Sequence, residues 1–90
     1  MLEIVSTNRF KKDLKLAIKR GCKMELMDEV VSQLASRQPL APKYKDHALS
    51  GDYDGFRECH VEPDWLLVYQ VIENELVLLL FRTGTHSDLF

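Results

Sequence analysis

Apolar positions in the first part of the chain recur at the three- and four-residue spacing of amphipathic helices. A short apolar segment at residues 2–5 and candidate N-caps at residues 6–8 precede the first helical pattern. Its apolar stripe comprises Phe10, Leu14, Ala17 and Ile18. We expect this helix to end at Gly21 and a second helix to follow, which Pro39 prevents from continuing. The second stripe comprises Met24, Met27, Val30, Val31 and Leu34.

The second half of the chain changes to a strand-like pattern. Residues 39–55 read as a long irregular connection with several prolines and glycines. Apolar runs follow at residues 56–61, 65–72 and 76–81, and the short polar turns between them predict antiparallel hairpins. The last two runs are almost continuously apolar, as in strands buried on both faces, whereas the first alternates. We therefore predict a single α+β domain, residues 1–90, with the two helices covering one face of the sheet.

Composition agrees with an ordinary globular domain, since 46% of the residues are hydrophobic and 29% are charged. No apolar stretch approaches the ~18 residues of a membrane span, and the N-terminal segment lacks the pattern of a secretory signal. We expect a cytoplasmic protein that does not bind membranes. Cys22 and Cys59 belong to no CxxC pair, and we expect both thiols to be reduced and structural.

The net charge of -2 conceals a strong asymmetry along the chain. Residues 1–23 carry seven basic and two acidic side chains, a net charge of +5. The exposed face of the first predicted helix contributes Lys11, Lys12, Lys15 and Lys19. This segment indicates an oriented contact with a polyanion, although a solvated helix face has the same composition.

The three histidines, His47, His60 and His86, all lie in the second half of the chain. An imidazole gives and takes protons near neutral pH, so a cluster of them predicts proton-transfer chemistry or metal binding. A hairpin closed at residues 62–64 brings His60 close to Asp64 and Trp65. Three antiparallel strands place Arg82 and His86 at the same edge of the sheet. The spacing leaves the position of His47 open.

Metal and nucleophile chemistry fit these residues less well. His60 and Asp64 have the spacing of two ligands on a helix, but Pro63 and the strand pattern argue against a helix there. The chain has no HExxH motif, paired cysteines, nucleophile elbow or phosphate loop. Histidines with an arginine suit metal-independent cleavage of RNA through its own 2′-hydroxyl, with Trp65 or Phe90 stacking on a base. Taken singly, each residue also fits a purely structural role.

Several motifs resemble the YafQ branch of the RelE/ParE toxin superfamily. They are YKDH at residues 44–47, GFR at 55–57, HVEPDW at 60–65, RTGTH at 82–86, DLF at 88–90 and FKKD at 10–13. The resemblance covers nearly the whole chain and keeps the order of elements. It implies a RelE-like fold of the order β-α-α-β-β-β, in which residues 2–5 join a mostly antiparallel four-stranded sheet.

The same resemblance implies a type II toxin: a ribosome-dependent mRNA endonuclease that inhibits translation, needs neither metal nor cofactor, and is inhibited by a cognate antitoxin. Operator DNA would be bound only through the antitoxin. The catalytic set implied by position is His47, His60, Asp64, Arg82 and His86, with His86 as the principal acid or base. The implied substrate contacts are Lys45, Arg57, Trp65 and Phe90. The expected contacts to the ribosomal RNA backbone are Lys11, Lys12 and Lys15.

One property departs from the pattern of these toxins, which are commonly basic. The sequence pI is about 5.9, so docking to ribosomal RNA has to rely on the lysines of the first helix and a few basic residues near the site. The alternative is a non-catalytic or degenerate member of the superfamily that acts by binding a partner, either gyrase or the antitoxin in operon autoregulation. Three histidines and an acid at one sheet edge favour the nuclease.

Overall fold

The two predicted N-terminal helices are present, although the second ends at Ala35, before Pro39 is reached. In the computed structural model, helix α1 spans Asn8–Lys19, and the Thr7 hydroxyl accepts a hydrogen bond of 2.9 Å from the backbone N–H of Phe10. Gly21 follows with a φ of 89°, a left-handed conformation that ends the helix. Helix α2 spans Met24–Ala35. Both predicted helices are confirmed, as is the α+β class.

The structure describes residues 1–90 and has five strands rather than the predicted four. The strands are β1 (Glu3–Ser6), β2 (His47–Ala48), β3 (Arg57–Glu62), β4 (Trp65–Ile72) and β5 (Val77–Gly84). Their order is β1-β5-β4-β3-β2, with β1 parallel to β5 and all other neighbours antiparallel. The additional strand, β2, lies in the connection expected to be irregular, because its two residues pair with the edge of β3.

The end of the chain also differs from the sequence prediction. Strand β5 continues three residues beyond the apolar run, to Gly84, and is followed by a one-turn helix, α3 (His86–Leu89). A threonine cap at Thr85 starts this helix. None of the three α-helices has the length and apolarity that a membrane span requires.

Helices α1 and α2 pack on one face of the sheet and form the main core with it. Members of this core from both layers are Phe10, Ala17, Met27, Val30, Cys59, Leu67, Tyr69 and Leu78. Ile18, which the periodicity placed in the apolar stripe, is 51% exposed. It lies about 100° around the helix from the buried Ala17, beyond the arc that faces the sheet.

The opposite face of the sheet carries a smaller apolar cluster under α3. Leu66, Val68 and Leu89 are buried there, and Tyr53, Phe56 and Phe81 pack around them. Cross-strand partners share a face, and Glu58 pairs with Val68 while His60 pairs with Leu66. The histidine-bearing face is therefore the one that the two long helices leave open.

Candidate active site

The tight turn between β3 and β4 brings His60, Asp64 and His86 together. Nδ1 of His60 lies 3.2 Å from the carbonyl oxygen of Pro63. The backbone N–H of His86 donates to Asp64 Oδ1 at 3.4 Å, and His86 Nδ1 lies 4.0 Å from the same oxygen. The ring centroids of His60 and His86 are 5.9 Å apart. The expected cluster is present, whereas the catalytic roles of its members stay predictions.

A buried carboxylate, which sequence reasoning missed, joins the third histidine to this cluster. Strand β2 places His47 directly opposite Glu58, whose residue is only 3% exposed. Glu58 Oε1 lies 3.5 Å from Nε2 of His47 and 3.6 Å from Nε2 of His60. The available signal was the alternation of the strand, because Glu58 precedes His60 by two residues and so shares its face.

Backbone carbonyls hold the rings of His47 and His60 in one orientation. Nδ1 of His47 donates to the carbonyl of Lys45 at 2.7 Å, and Nδ1 of His60 faces the carbonyl of Pro63. A carbonyl oxygen only accepts, so Nδ1 is the protonated nitrogen of each ring and Nε2 faces Glu58. The two Nε2 atoms therefore converge on the same oxygen, Oε1 of Glu58.

Arg82 lies on the same face of the sheet but not where the sequence predicted. We expected it at the end of its strand beside Trp65, yet β5 continues to Gly84 and Arg82 pairs with Val68. Its guanidinium donates to Asp13 of α1 at 2.9 and 3.2 Å. This hydrogen bonding raises the pKa of Arg82 above its ordinary value.

The two aromatic candidates differ in exposure. Trp65 is 3% exposed and belongs to the main core, so its ring presents no face to a nucleobase. Phe90 is 59% exposed and lies against His86, with ring centroids 5.9 Å apart. Of the two, Phe90 is placed to stack on a base beside the histidine cluster.

The two basic substrate candidates near His47 differ in their contacts, because Arg57 is bound by an acid and Lys45 is exposed. Arg57 donates to Asp46 at 3.1 and 3.3 Å, which raises its pKa, and the Tyr69 hydroxyl donates to the same carboxylate. Asp46 thus anchors the loop that carries His47, a role that the sequence did not reveal. Lys45 is exposed and adopts a left-handed backbone conformation, φ 50°, that directs its carbonyl to His47.

The predicted docking lysines, Lys11, Lys12 and Lys15, are all exposed on α1. They lie with α1 on the helical side of the sheet, apart from the histidine face. Nothing in the geometry brings them into contact with the catalytic candidates.

The structure favours metal binding and thiol chemistry less than it favours acid–base chemistry. No group of three or more His, Cys, Asp and Glu side chains is arranged to hold a metal ion. Burial raises the pKa of the Cys59 thiol to about 12, which keeps it protonated and unreactive. Both cysteines are free.

Fold and site together define a small α+β domain in which imidazoles and carboxylates gather on an open face of the sheet. Residues 2–90 match the model of the family described as "Bacterial toxin of type II toxin-antitoxin system, YafQ". The chain belongs to this family of type II toxins.

Individual relatives agree with this assignment. The "mRNA interferase toxin YafQ" of Escherichia coli K12 is 40% identical over 89 residues, which cover 98% of this chain and 95% of the relative. A metal-bound toxin from Helicobacter pylori superposes with a TM-score of 0.95 at 53% identity, with both chains fully covered. The toxin in the E. coli DinJ-YafQ toxin-antitoxin complex superposes with a TM-score of 0.87 at 40% identity, covering 99% of this chain and 97% of that one.

Proposed function

We propose that this YafQ-family toxin is an mRNA endonuclease that cleaves by acid–base attack of the 2′-hydroxyl on the adjacent phosphodiester. The observation that carries the proposal is the meeting of His60, His86 and Asp64 on an open face, with the two rings 5.9 Å apart. Rings this close let one phosphodiester lie across both, within reach of two groups that exchange protons. The E. coli relative is named an mRNA interferase, and such a pair of groups can catalyse cleavage of RNA.

His86 acts as the principal acid or base because it is exposed beside Phe90, where a nucleotide has access. Asp64 positions His86, because its carboxylate accepts from the His86 backbone N–H and lies 4.0 Å from the ring Nδ1. His60, whose Nε2 lies 3.6 Å from Glu58 Oε1, carries out the second proton transfer of the reaction. One group removes the proton of the 2′-hydroxyl and the other protonates the departing 5′-oxygen.

Arg82 stabilises the negative charge that develops on the phosphorus oxygens. Asp13 binds two of its five N–H donors, and the Tyr53 hydroxyl lies beside the same guanidinium. Arg82 and Phe90 line one open groove, where a remaining donor can bind a phosphate oxygen. His47 and Lys45 bind phosphate at the other side of the cluster.

The H. pylori neighbour is described as metal-bound, but the side chains of this protein are not arranged as a ligand set. The steps above accordingly use only the acids, bases and donors of the chain itself.

The proposed partners are the ribosome with its mRNA, and a cognate antitoxin. Lys11, Lys12 and Lys15 bind the ribosomal RNA backbone in the cytoplasm, and the E. coli relative provides the precedent for an antitoxin. Exposed apolar side chains among the basic residues of α1, Leu16 and Ile18, suit an antitoxin segment. The toxin is bound to operator DNA only through that antitoxin.

The decisive experiment is cleavage of ribosome-bound mRNA by wild type, by His86→Gln and by the control Ser32→Ala. Loss of one acid–base group lowers the rate by about 10² to 10⁴, and the control, an exposed residue of α2, leaves the rate unchanged. Wild-type cleavage by His86→Gln would overturn the role of His86. Growth arrest by wild type and variant alike, without cleavage, would favour the partner-binding alternative.

Ribosome docking is tested separately by charge reversal at Lys11, Lys12 and Lys15. We expect weaker ribosome association and a shallower salt dependence, by about 0.7 to 0.9 in the logarithmic slope for each phosphate that is no longer neutralised. Cosedimentation with ribosomes at several salt concentrations measures both. Unchanged association would refute docking through α1.

A further inference from the structure

Helix α3, which carries His86, is too short to hold its own position. It consists of four residues, and a single turn has no intrinsic stability in water. Its N-terminus is capped reciprocally, since the Asp88 backbone N–H donates to the Thr85 hydroxyl and the Thr85 N–H donates to the Asp88 carboxylate. These bonds preserve the turn but do not attach it to the rest of the protein.

The attachment to α1 comes from Arg20, the C-cap residue of that helix. Arg20 donates to Asp88 through Nη1 at 2.6 Å and Nη2 at 3.4 Å, a two-pronged contact between residues 68 positions apart. Gly84 leaves space for this carboxylate, because a Cβ at position 84 would lie only 2.9 Å from the Asp88 side chain.

We propose that Arg20 is a positioning residue: through Asp88 it fixes α3 against α1 and thereby sets the location of His86. This inference rests on the proposed function, in which His86 transfers the proton. Because α1 also carries the lysines proposed to dock on the ribosome, the ion pair links the docking helix to the catalytic histidine. A shift of the last turn of α1 on docking is transmitted to His86 through this pair.

The exposure of the pair separates positioning from folding. The side chains of Arg20 and Asp88 are 44% and 27% exposed, and ion pairs this exposed contribute little to global stability. Removal of the pair leaves Leu89 buried and its carbonyl bound by the Tyr53 hydroxyl. The protein therefore stays folded, while the end of α3 that carries His86 loses its contact with α1 and is misplaced.

The test compares Asp88→Asn, Arg20→Gln and Arg20→Lys with the control Asp28→Asn, an exposed acid on α2 that bears the same charge change. Asp88→Asn is the sharpest variant because it breaks the pair without removing positive charge from α1. Cleavage of ribosome-bound mRNA gives kcat and KM. NMR of the free toxin gives the nuclear Overhauser effects from the His86 ring to His60 and Phe90.

We expect Asp88→Asn and Arg20→Gln to lower kcat about tenfold to a hundredfold and to weaken these Overhauser effects. Asp88→Asn leaves KM unchanged, Arg20→Lys retains part of the activity, and Asp28→Asn matches wild type. Wild-type kcat and unchanged Overhauser effects of His86 in both pair-breaking variants would overturn the inference. A wild-type toxin that does not cleave would refute the proposed function instead, and the NMR comparison would still decide the positioning role.

Discussion

Replacement of Glu58 by glutamine should separate catalysis from stability. The substitution preserves the size of the side chain and removes its charge. Glu58 is 3% exposed, and the charged or protonatable groups that lie against it are the imidazoles of His47 and His60. An uncharged glutamine interacts more weakly with an imidazole than a carboxylate does, so both rings lose a group that orients them.

The size of the effect follows from the two interactions of Glu58. Both contacts have ion-pair distances, 3.5 and 3.6 Å; the coupling energy of such close charge pairs is about 1.5 to 3 kcal/mol at the lower end of its range, and about 1.4 kcal/mol corresponds to a tenfold change in rate. Removal of the interaction with His60 alone therefore slows cleavage about 10- to 100-fold. Stability should change in the opposite sense or hardly at all, because an uncharged group of the same shape avoids the desolvation of a buried carboxylate.

Single-turnover cleavage of ribosome-bound mRNA and thermal unfolding of the same preparations measure the two effects. Glu75→Gln, an exposed residue in the turn between β4 and β5, is the matched control and should behave as wild type in both. A Glu58→Gln variant that cleaves at the wild-type rate would refute the role of the cluster. A large loss of thermal stability would show that Glu58 is chiefly structural.

Three further predictions concern ionisation and packing. Hydrogen bonding from Arg20 lowers the pKa of Asp88 from 3.8 to about 2, so its contribution to stability is complete above about pH 4 and is lost as the pH falls through 2. Between about pH 4 and pH 2, the thermal stability of wild type should therefore fall more steeply with pH than that of Asp88→Asn. A difference in the pH dependence of the two proteins that appeared only near neutral pH would contradict this reasoning. Alkylation followed by mass spectrometry should show that Cys22 is labelled before Cys59, because burial raises the pKa of the Cys59 thiol to about 12. Equal labelling of the two thiols in the native protein would contradict this prediction. Leu78→Ala should lower the free energy of unfolding in urea by about 2 to 5 kcal/mol, since Leu78 is fully buried, and a loss below about 1 kcal/mol would show that the core collapses around the site.

Local patterns predicted those parts of the fold that depend on neighbours along the chain. The bounds of β4, Trp65–Ile72, coincide with the predicted apolar run. A strand that is buried over most of its length has few polar positions that would make its first and last residues ambiguous. The meeting of His60 with Asp64 followed from the short turn between them. Both are properties of a few consecutive residues.

Contacts between distant segments could not be predicted in this way. Arg82 is bound by Asp13, a residue 69 positions earlier, and no local pattern distinguishes Asp13 from the other acids of the chain. The burial of Glu58 depends on β2, a two-residue strand too short to produce a period. The main errors at the site therefore concern which charged groups are paired, whereas His60, Asp64 and His86 were correctly expected to lie close together.

The parallel pairing of β1 with β5 joins segments that are far apart in the sequence. Glu3 pairs with Val77, and the Thr7 hydroxyl donates to the Phe81 carbonyl across 74 positions. Contacts this distant in sequence make folding slow, because the chain loses loop entropy before the pairing compensates for it. Strand β5 lies between β1 and β4 and leads directly to His86. Until β5 has docked, His86 therefore stays apart from His60 and Asp64, and the candidate site forms only together with the sheet.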